Sequence, residues 1–337
     1  MLLSVWALAV GSSIPEVPAG SGTHEGQGDL ALYERIETRV ADGESYYRAA
    51  VDEQAADGYP TSPPPTVRLP TVTIVWLVAG EWTPWLLRLL VALSVVAVML
   101  RFERIAPAKP EWIASTLLFV ATTGLFLHPS AGYFAEAWAV CLIVLSLAVH
   151  RAGRWRLSMI LGLTAVLFRE LAGPYLVVMG VMAWRRNRRE AYGWFAGAAA
   201  FCALYGVHWQ LADRAAAMVG KVSSDPWVTF GGWPYVVDTV RFSSVLRAFP
   251  YWVSVIVVAA AVVGWVAARG PFRDRVLAIS FTFIAIFMIA GRPNTAYWGT
   301  LYVPLLVPAL IFVPRAACRA VAAAWRRPTP RTAGPPC

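Results

Sequence analysis

The strongest constraint in this sequence is a series of apolar blocks, most of them roughly 15–22 residues long, separated by short clusters of arginine. Wound as α-helix, a block of that length approaches the thickness of a bilayer's hydrocarbon core. The blocks occupy residues 84–100, 112–127, 133–149, 157–168, 171–184, 191–211, 249–268, 276–290 and 296–314. They predict an all-α fold: a polytopic transmembrane helical bundle of about nine or ten spans, with an extracytoplasmic first loop containing amphipathic helices. Charge content agrees, because only 15% of the 337 residues are charged, against about 25% in soluble domains.

The arginine clusters orient the bundle. One face receives Arg101, Arg104 and Lys109; Arg151, Arg154 and Arg156; Arg185, Arg186, Arg188 and Arg189; Arg269, Arg273 and Arg275; and the tail from Arg315 to Arg331. The positive-inside rule makes that face cytoplasmic in a plasma (inner) membrane. The net charge of +9 is carried almost wholly by arginine, with lysine only at Lys109 and Lys221. Lying between apolar blocks, it reads as a topology signal, and no nucleic-acid partner is expected. Cys141, Cys202, Cys318 and Cys337 make no CxxC, disulfide framework or zinc pattern.

Residues 1–14 are apolar but reach only about 20 Å as helix, so they are either a short first span or a signal peptide. Residues 15–70 form the only long polar stretch and are assigned to the extracytoplasmic loop. Within it, Leu30, Tyr33, Ile36 and Val40 recur at helical spacing, Asp29 is placed as an N-cap, and the proline-rich run Tyr59–Pro65 ends the loop as an extended linker. Thr71–Ala79 is too short to span and is expected to lie along the outer surface. Residues 71–314 make up the transmembrane bundle, and residues 315–337 a basic cytoplasmic tail expected to be disordered. Residues 157–184 have arginines immediately before and after them, so both ends belong on the same face and the segment must turn back. The turn falls at Arg169-Glu170-Leu171-Ala172-Gly173-Pro174, where glycine and proline break helices.

An ionisable side chain at membrane depth costs about 2.5–3.5 kcal/mol and marks function. The topology gathers Asp29, His128, Glu136, Arg169, Glu170, Arg292, Asn294 and Tyr297 at the outer ends of helices, with Tyr33 and Arg68 added from the first loop. Asp29 and Glu136 are the candidate catalytic carboxylates, since a carboxylate accepts a proton from a hydroxyl nucleophile. Arg169 and Arg292 are the candidate lipid-phosphate ligands, through forked charge-assisted hydrogen bonds. Tyr33, Arg68, His128, Glu170, Asn294 and Tyr297 complete the substrate-binding set. A carboxylate base facing a phosphate leaving group is the make-up of a group-transfer site. Plainer roles stand beside these: Asp29 as an N-cap, Glu136 paired with a neighbouring arginine, Arg169 paired with Glu170, His128 as a loop residue and Arg292 snorkelling to the interface.

Three stretches carry a family resemblance. They are Gly28-Asp29-Leu30-Ala31-Leu32-Tyr33 continuing to Asp42-Gly43-Glu44-Ser45-Tyr46-Tyr47; Leu161-Gly162-Leu163-Thr164-Ala165-Val166-Leu167-Phe168-Arg169-Glu170; and the proline-rich approach from Tyr59 to Pro70. In these the chain resembles the GT-C glycosyltransferases, membrane enzymes that use polyprenyl-phosphate sugars. The resemblance implies that Asp29 is the catalytic base and that Arg169, ending the Gly-Leu helix, contacts lipid phosphate. Many members carry paired acids in the first loop, whereas Leu30 follows Asp29 here. The large soluble C-terminal domain of many members is also missing, so the chain reads as a reduced, membrane-only member.

The function implied is inverting transfer of a sugar from a polyprenyl-phosphate donor to a hydroxyl of an acceptor glycan, lipid or protein. Membrane lipid is the further partner, and the lipid-linked sugar is a co-substrate. No metal ligand set is assigned, although external carboxylates suit a divalent ion. The rival readings are a transporter or flippase of a lipid-linked anionic substrate, and an inactive membrane scaffold. A transporter should have two related halves with interrupted helices, and the one interrupted segment here has no counterpart.

Overall fold

The computed structural model describes residues 28–106, 108–226 and 228–325. Residues 1–14, with their span-or-signal reading, and the end of the basic tail lie outside the described residues. The described residues are mostly helical, joined by turns and loops, with one isolated β-bridge between Ser62 and Ser223.

Helices α1 (Asp29–Ala41) and α2 (Tyr46–Ala56) form a small module at one end of the bundle. Leu32 and Ile36, one helical turn apart, pack with Ala49, Ala50 and Val51 of α2, with Val67, and with Ala212, Ala215 and Ala216 of the long helix α9 (Arg188–Val219). Arg35 and Arg39 clasp the module from the side. Arg35 pairs with Glu53 at 2.7 Å and also with Asp57, and Arg39 reaches Glu44, Asp52 and Glu53 at 2.6–2.9 Å. The expected cap is displaced by one residue. Gly28 is the N-cap, and Asp29 opens the first turn, where a carboxylate complements the positive end of the helix.

The main core is built from α4 (Thr83–Ile105), α5 (Lys109–Thr123), α6 (Ala135–Val149), α7 (Arg156–Phe168), α8 (Gly173–Ala183), α10 (Gly232–Phe242), α11 (Tyr251–Ala267) and α12 (Pro271–Ile289). Helix α6 sits deepest, with every residue from Ala135 to Val144 buried. Helix α3 (Thr71–Ala79) is not collinear with α4. Thr83 Oγ1 lies 3.5 Å from the Val75 carbonyl, a return enabled by Gly80 at φ 51°.

Residues 157–184 do turn back. A Cβ on Gly162 would lie 2.7 Å from Tyr175 Cε1, and Ser146 bonds both Ser158 and the Tyr175 hydroxyl. Straight helix would hold Ser158 and Tyr175 roughly 25 Å apart. Arg169, in extended conformation at φ −144°, breaks the helix, and Pro174 starts the next one.

Two helical stretches, Pro64–Ile105 and Lys109–Leu127, are long and apolar enough to cross a membrane. The pair Asn294–Leu301 and Val303–Arg319, bent by 45°, makes a third if counted as one span. This is fewer than the nine or ten expected from the apolar blocks. Four other apolar helices, Ala135–Val149, Arg156–Phe168, Glu170–Ala183 and Tyr251–Ala267, have at most 17 residues. The block at 191–211 is rich in alanine, glycine and aromatics instead of leucine, and α12 carries Arg273, Asp274 and Arg275 in its first turns. The start of the basic tail is also corrected, because Val313–Trp325 is a helix and not a disordered segment.

Candidate functional site

Helix breaks and helix starts bring the expected residues together at the α1–α2 end of the bundle. The first turn of α6 supplies Glu136, fully buried, and the extended break after α7 supplies Arg169, only 3% exposed. Arg169 Nε stands 2.6 Å from Glu136 Oε1, and Nη1 donates to Glu170 Oε1 at 2.9 Å. The Nε–H is not aimed along the first contact, so neither Glu136 oxygen accepts a hydrogen bond from the described residues. Two carboxylates therefore share one guanidinium, and a buried carboxylate retains acceptor capacity.

Arg68 enters from the first loop. Its guanidinium lies over the Tyr33 ring, 4.7 Å from the centroid, and forms no ion pair or side-chain hydrogen bond with the described residues. Asp29, Tyr33, Glu136 and Tyr297 are all within its electrostatic reach. The Arg68 backbone is held firmly. Three successive carbonyls accept hydrogen bonds: Thr66 from Gln54 Nε2 at 3.1 Å, Val67 from His208 Nε2 at 3.1 Å, and Arg68 from the Tyr46 hydroxyl at 2.8 Å. A carbonyl only accepts, so His208 carries its proton on Nε2, and its Nδ1 lies 3.1 Å from the Tyr47 hydroxyl.

Asp29 is half-buried and accepts a hydrogen bond from the Tyr59 hydroxyl. Burial, reinforced by this bond to Asp29, raises the Tyr59 phenol above its ordinary range, so it remains a donor. An aromatic wall completes the layer. Tyr33 stacks on Tyr133 and Tyr133 on Trp76, with centroids 6.4 and 4.3 Å apart. Tyr133 donates to Glu37, and Tyr297 packs between Phe134 and Phe242.

Seven of the ten expected site residues thus share one electrostatic neighbourhood: Asp29, Tyr33, Arg68, Glu136, Arg169, Glu170 and Tyr297. The other three are placed differently. His128 is exposed and binds Ser130 Oγ at 2.7 Å, which makes it a loop-capping residue. Arg292 donates to the Asp225 carbonyl at 3.1 Å at the head of the 3-10 segment Pro293–Leu301. Asn294 is exposed. Sequence reasoning missed Tyr59, Gln54 and His208. Only His208 left a signal, as an ionisable residue inside an apolar block.

No protein-family model matches the chain, and no curated protein or solved structure is detectably similar to it. The site is therefore read from its own chemistry. Its electrostatic neighbourhood holds three carboxylates, from Asp29, Glu136 and Glu170, and two guanidiniums, from Arg68 and Arg169. Among the described residues, no three His, Cys, Asp or Glu side chains are grouped to hold a metal ion. Such a layer can accept a proton on one side and neutralise an anion on the other.

Proposed function

We propose that this chain is a multi-pass membrane glycosyltransferase of GT-C type, transferring a sugar from a polyprenyl-phosphate donor to an acceptor hydroxyl at the extracytoplasmic face, with inversion. The observation that carries the reading is the pairing of a carboxylate-rich layer with Arg68, a guanidinium that forms no ion pair with a carboxylate among the described residues. Asp29 takes the proton of the acceptor hydroxyl. The acceptor oxygen bonds to the anomeric carbon as the bond from that carbon to the phosphate oxygen breaks, and the electron pair leaves with the phosphate. Arg68 holds the leaving phosphate. Arg169, already facing Glu136 and Glu170, positions those carboxylates and adds a second cation. On this reading the shorter apolar helices complete about nine or ten crossings, some as hairpin arms like α7 and α8.

The test is Asp29→Asn. Asparagine keeps the acceptor oxygen for Tyr59 and is tolerated in a first helical turn, but it cannot take a proton. The expected outcome is a folded variant that binds polyprenyl-phosphate sugar and transfers it at least about 100-fold more slowly. Transfer at the wild-type rate would remove Asp29 from the mechanism and make Glu136 the base to test.

A further inference from the structure

Glu136 and His150 mark opposite ends of α6, roughly 20 Å apart along the helix. At the His150 end the structure forms an open recess of about 990 Å³, between α4, the α6–α7 turn and the starts of α7 and α9. Six arginines line it: Arg101, Arg104, Arg151, Arg154, Arg156 and Arg189. None forms an ion pair with a carboxylate among the described residues. Glu190, the buried acid at this end, is taken by His150 at 2.6 Å.

Arg101 is built into the wall. Its Nε donates to the Ala148 carbonyl at 2.6 Å and its Nη2 to the His150 carbonyl at 3.1 Å. It is fixed there against the like charges of Arg104, Arg151 and Arg275. A topology signal requires positive charge in the loops, not its convergence from three chain segments on one recess. The starts of α7 and α9 also bring the positive ends of two helix dipoles to the same place. Beside the arginines the wall turns apolar, through Ala97 and the exposed Leu100 and Leu157.

We propose that this recess binds the phosphodiester headgroup of an anionic phospholipid, with the acyl chains running along Leu100 and Leu157. The arginines supply the neutralising charge that the protein itself does not use, and the leucines explain why a lipid fits better than a free phosphate.

The experiment uses the full chain in detergent, with native mass spectrometry counting bound phosphatidylglycerol against phosphatidylcholine. Wild-type protein is expected to retain phosphatidylglycerol preferentially. The double variant Arg104→Gln, Arg154→Gln should weaken that retention roughly 30-fold. The pair Arg185→Gln, Arg188→Gln, with the same loss of charge but outside the recess, should leave it nearly unchanged. Both arginine pairs are exposed, so neither change disturbs the core, and unchanged phosphatidylcholine adducts serve as the folding control. Equal losses in the two pairs would overturn the site in favour of diffuse surface attraction. Displacement of the lipid by millimolar inorganic phosphate would overturn the lipid assignment, as would equal retention of the two lipids.

Discussion

Glu136 and Arg169 meet at 2.6 Å although they are 33 positions apart, one opening α6 and the other breaking the chain after α7. Removing one partner strands a buried charge. Glu136→Ala or Arg169→Ala is expected to lower stability by about 3–5 kcal/mol, read by thermal melting in detergent. The double replacement should cost clearly less than the sum. Additive losses would show that the two charges do not support one another. Arg169→Lys keeps the charge without the fork and should recover only part of the loss.

The three carbonyl contacts that hold residues 66–68 predict a second effect. His208→Phe and Gln54→Leu each remove one donor from a buried carbonyl, at a cost of about 1–3 kcal/mol. If these contacts position Arg68, both variants should also weaken phosphate-ligand binding, measured on the folded fraction, while leaving the ligand's charge requirement unchanged. Loss of stability with unaltered binding would confine them to a structural role.

Gly162 tests the hairpin. A methyl group there meets the rings of Tyr175 and Trp194 at 2.7–3.0 Å, so Gly162→Ala should destabilise by about 1–3 kcal/mol through overpacking. Cutting Tyr175 back to leucine in the same chain should recover much of that. Failure of the compensating change would argue against close packing of the two arms.

Much of this was legible in the sequence, and for an identifiable reason. The turn at 169–174 could be located because charge on both flanks and a Gly-Pro pair act locally. The clustering of Glu136, Arg169 and Asp29 followed from placing polar groups at the same helix ends. The number of full-length spans did not follow, because α12 carries Arg273, Asp274 and Arg275 in its first turns and the apolar helices α6, α7, α8 and α11 have at most 17 residues. A shared expected layer did not decide the partner of His128, which binds Ser130 in its own loop. The Tyr59–Asp29 bond and the His208–Val67 bond join residues 30 and 141 positions apart, and no local pattern announces them.

Acid should loosen the α1–α2 module selectively. Burial pushes the Glu53 carboxyl up, but hydrogen bonds from Arg35 and Arg39 outweigh it and hold the group below the usual carboxylate range. With the folded pKa depressed, the contribution is present above the unfolded value of about 4.3 and is lost as pH falls below it. Hydrogen exchange in residues 29–57 should therefore accelerate below about pH 4 before the core does, and Arg35→Gln should move that onset to higher pH. Parallel acid sensitivity in module and core would refute it.

Orientation is open to direct measurement. With the native cysteines replaced by serine, a cysteine at exposed Asp42 should react with an impermeant reagent from the extracytoplasmic side, and one at exposed Arg185 only from the cytoplasmic side. Labelling of both from one side would refute the proposed membrane arrangement.

Helix α9 runs unbroken for 32 residues, about 48 Å, well beyond the roughly 30 Å of a hydrocarbon core. It starts beside the arginine recess and ends against the small core of the α1–α2 module. It acts as a ruler with a phase as well as a length. One residue inserted near Ala203 would raise the far half by only about 1.5 Å but rotate it by about 100°. His208, Ala212 and Ala216 would then face away from Val67, Leu32 and Ile36, and the layer holding Arg68 would lose its register with Glu136 and Arg169 without any change to a single residue of the site.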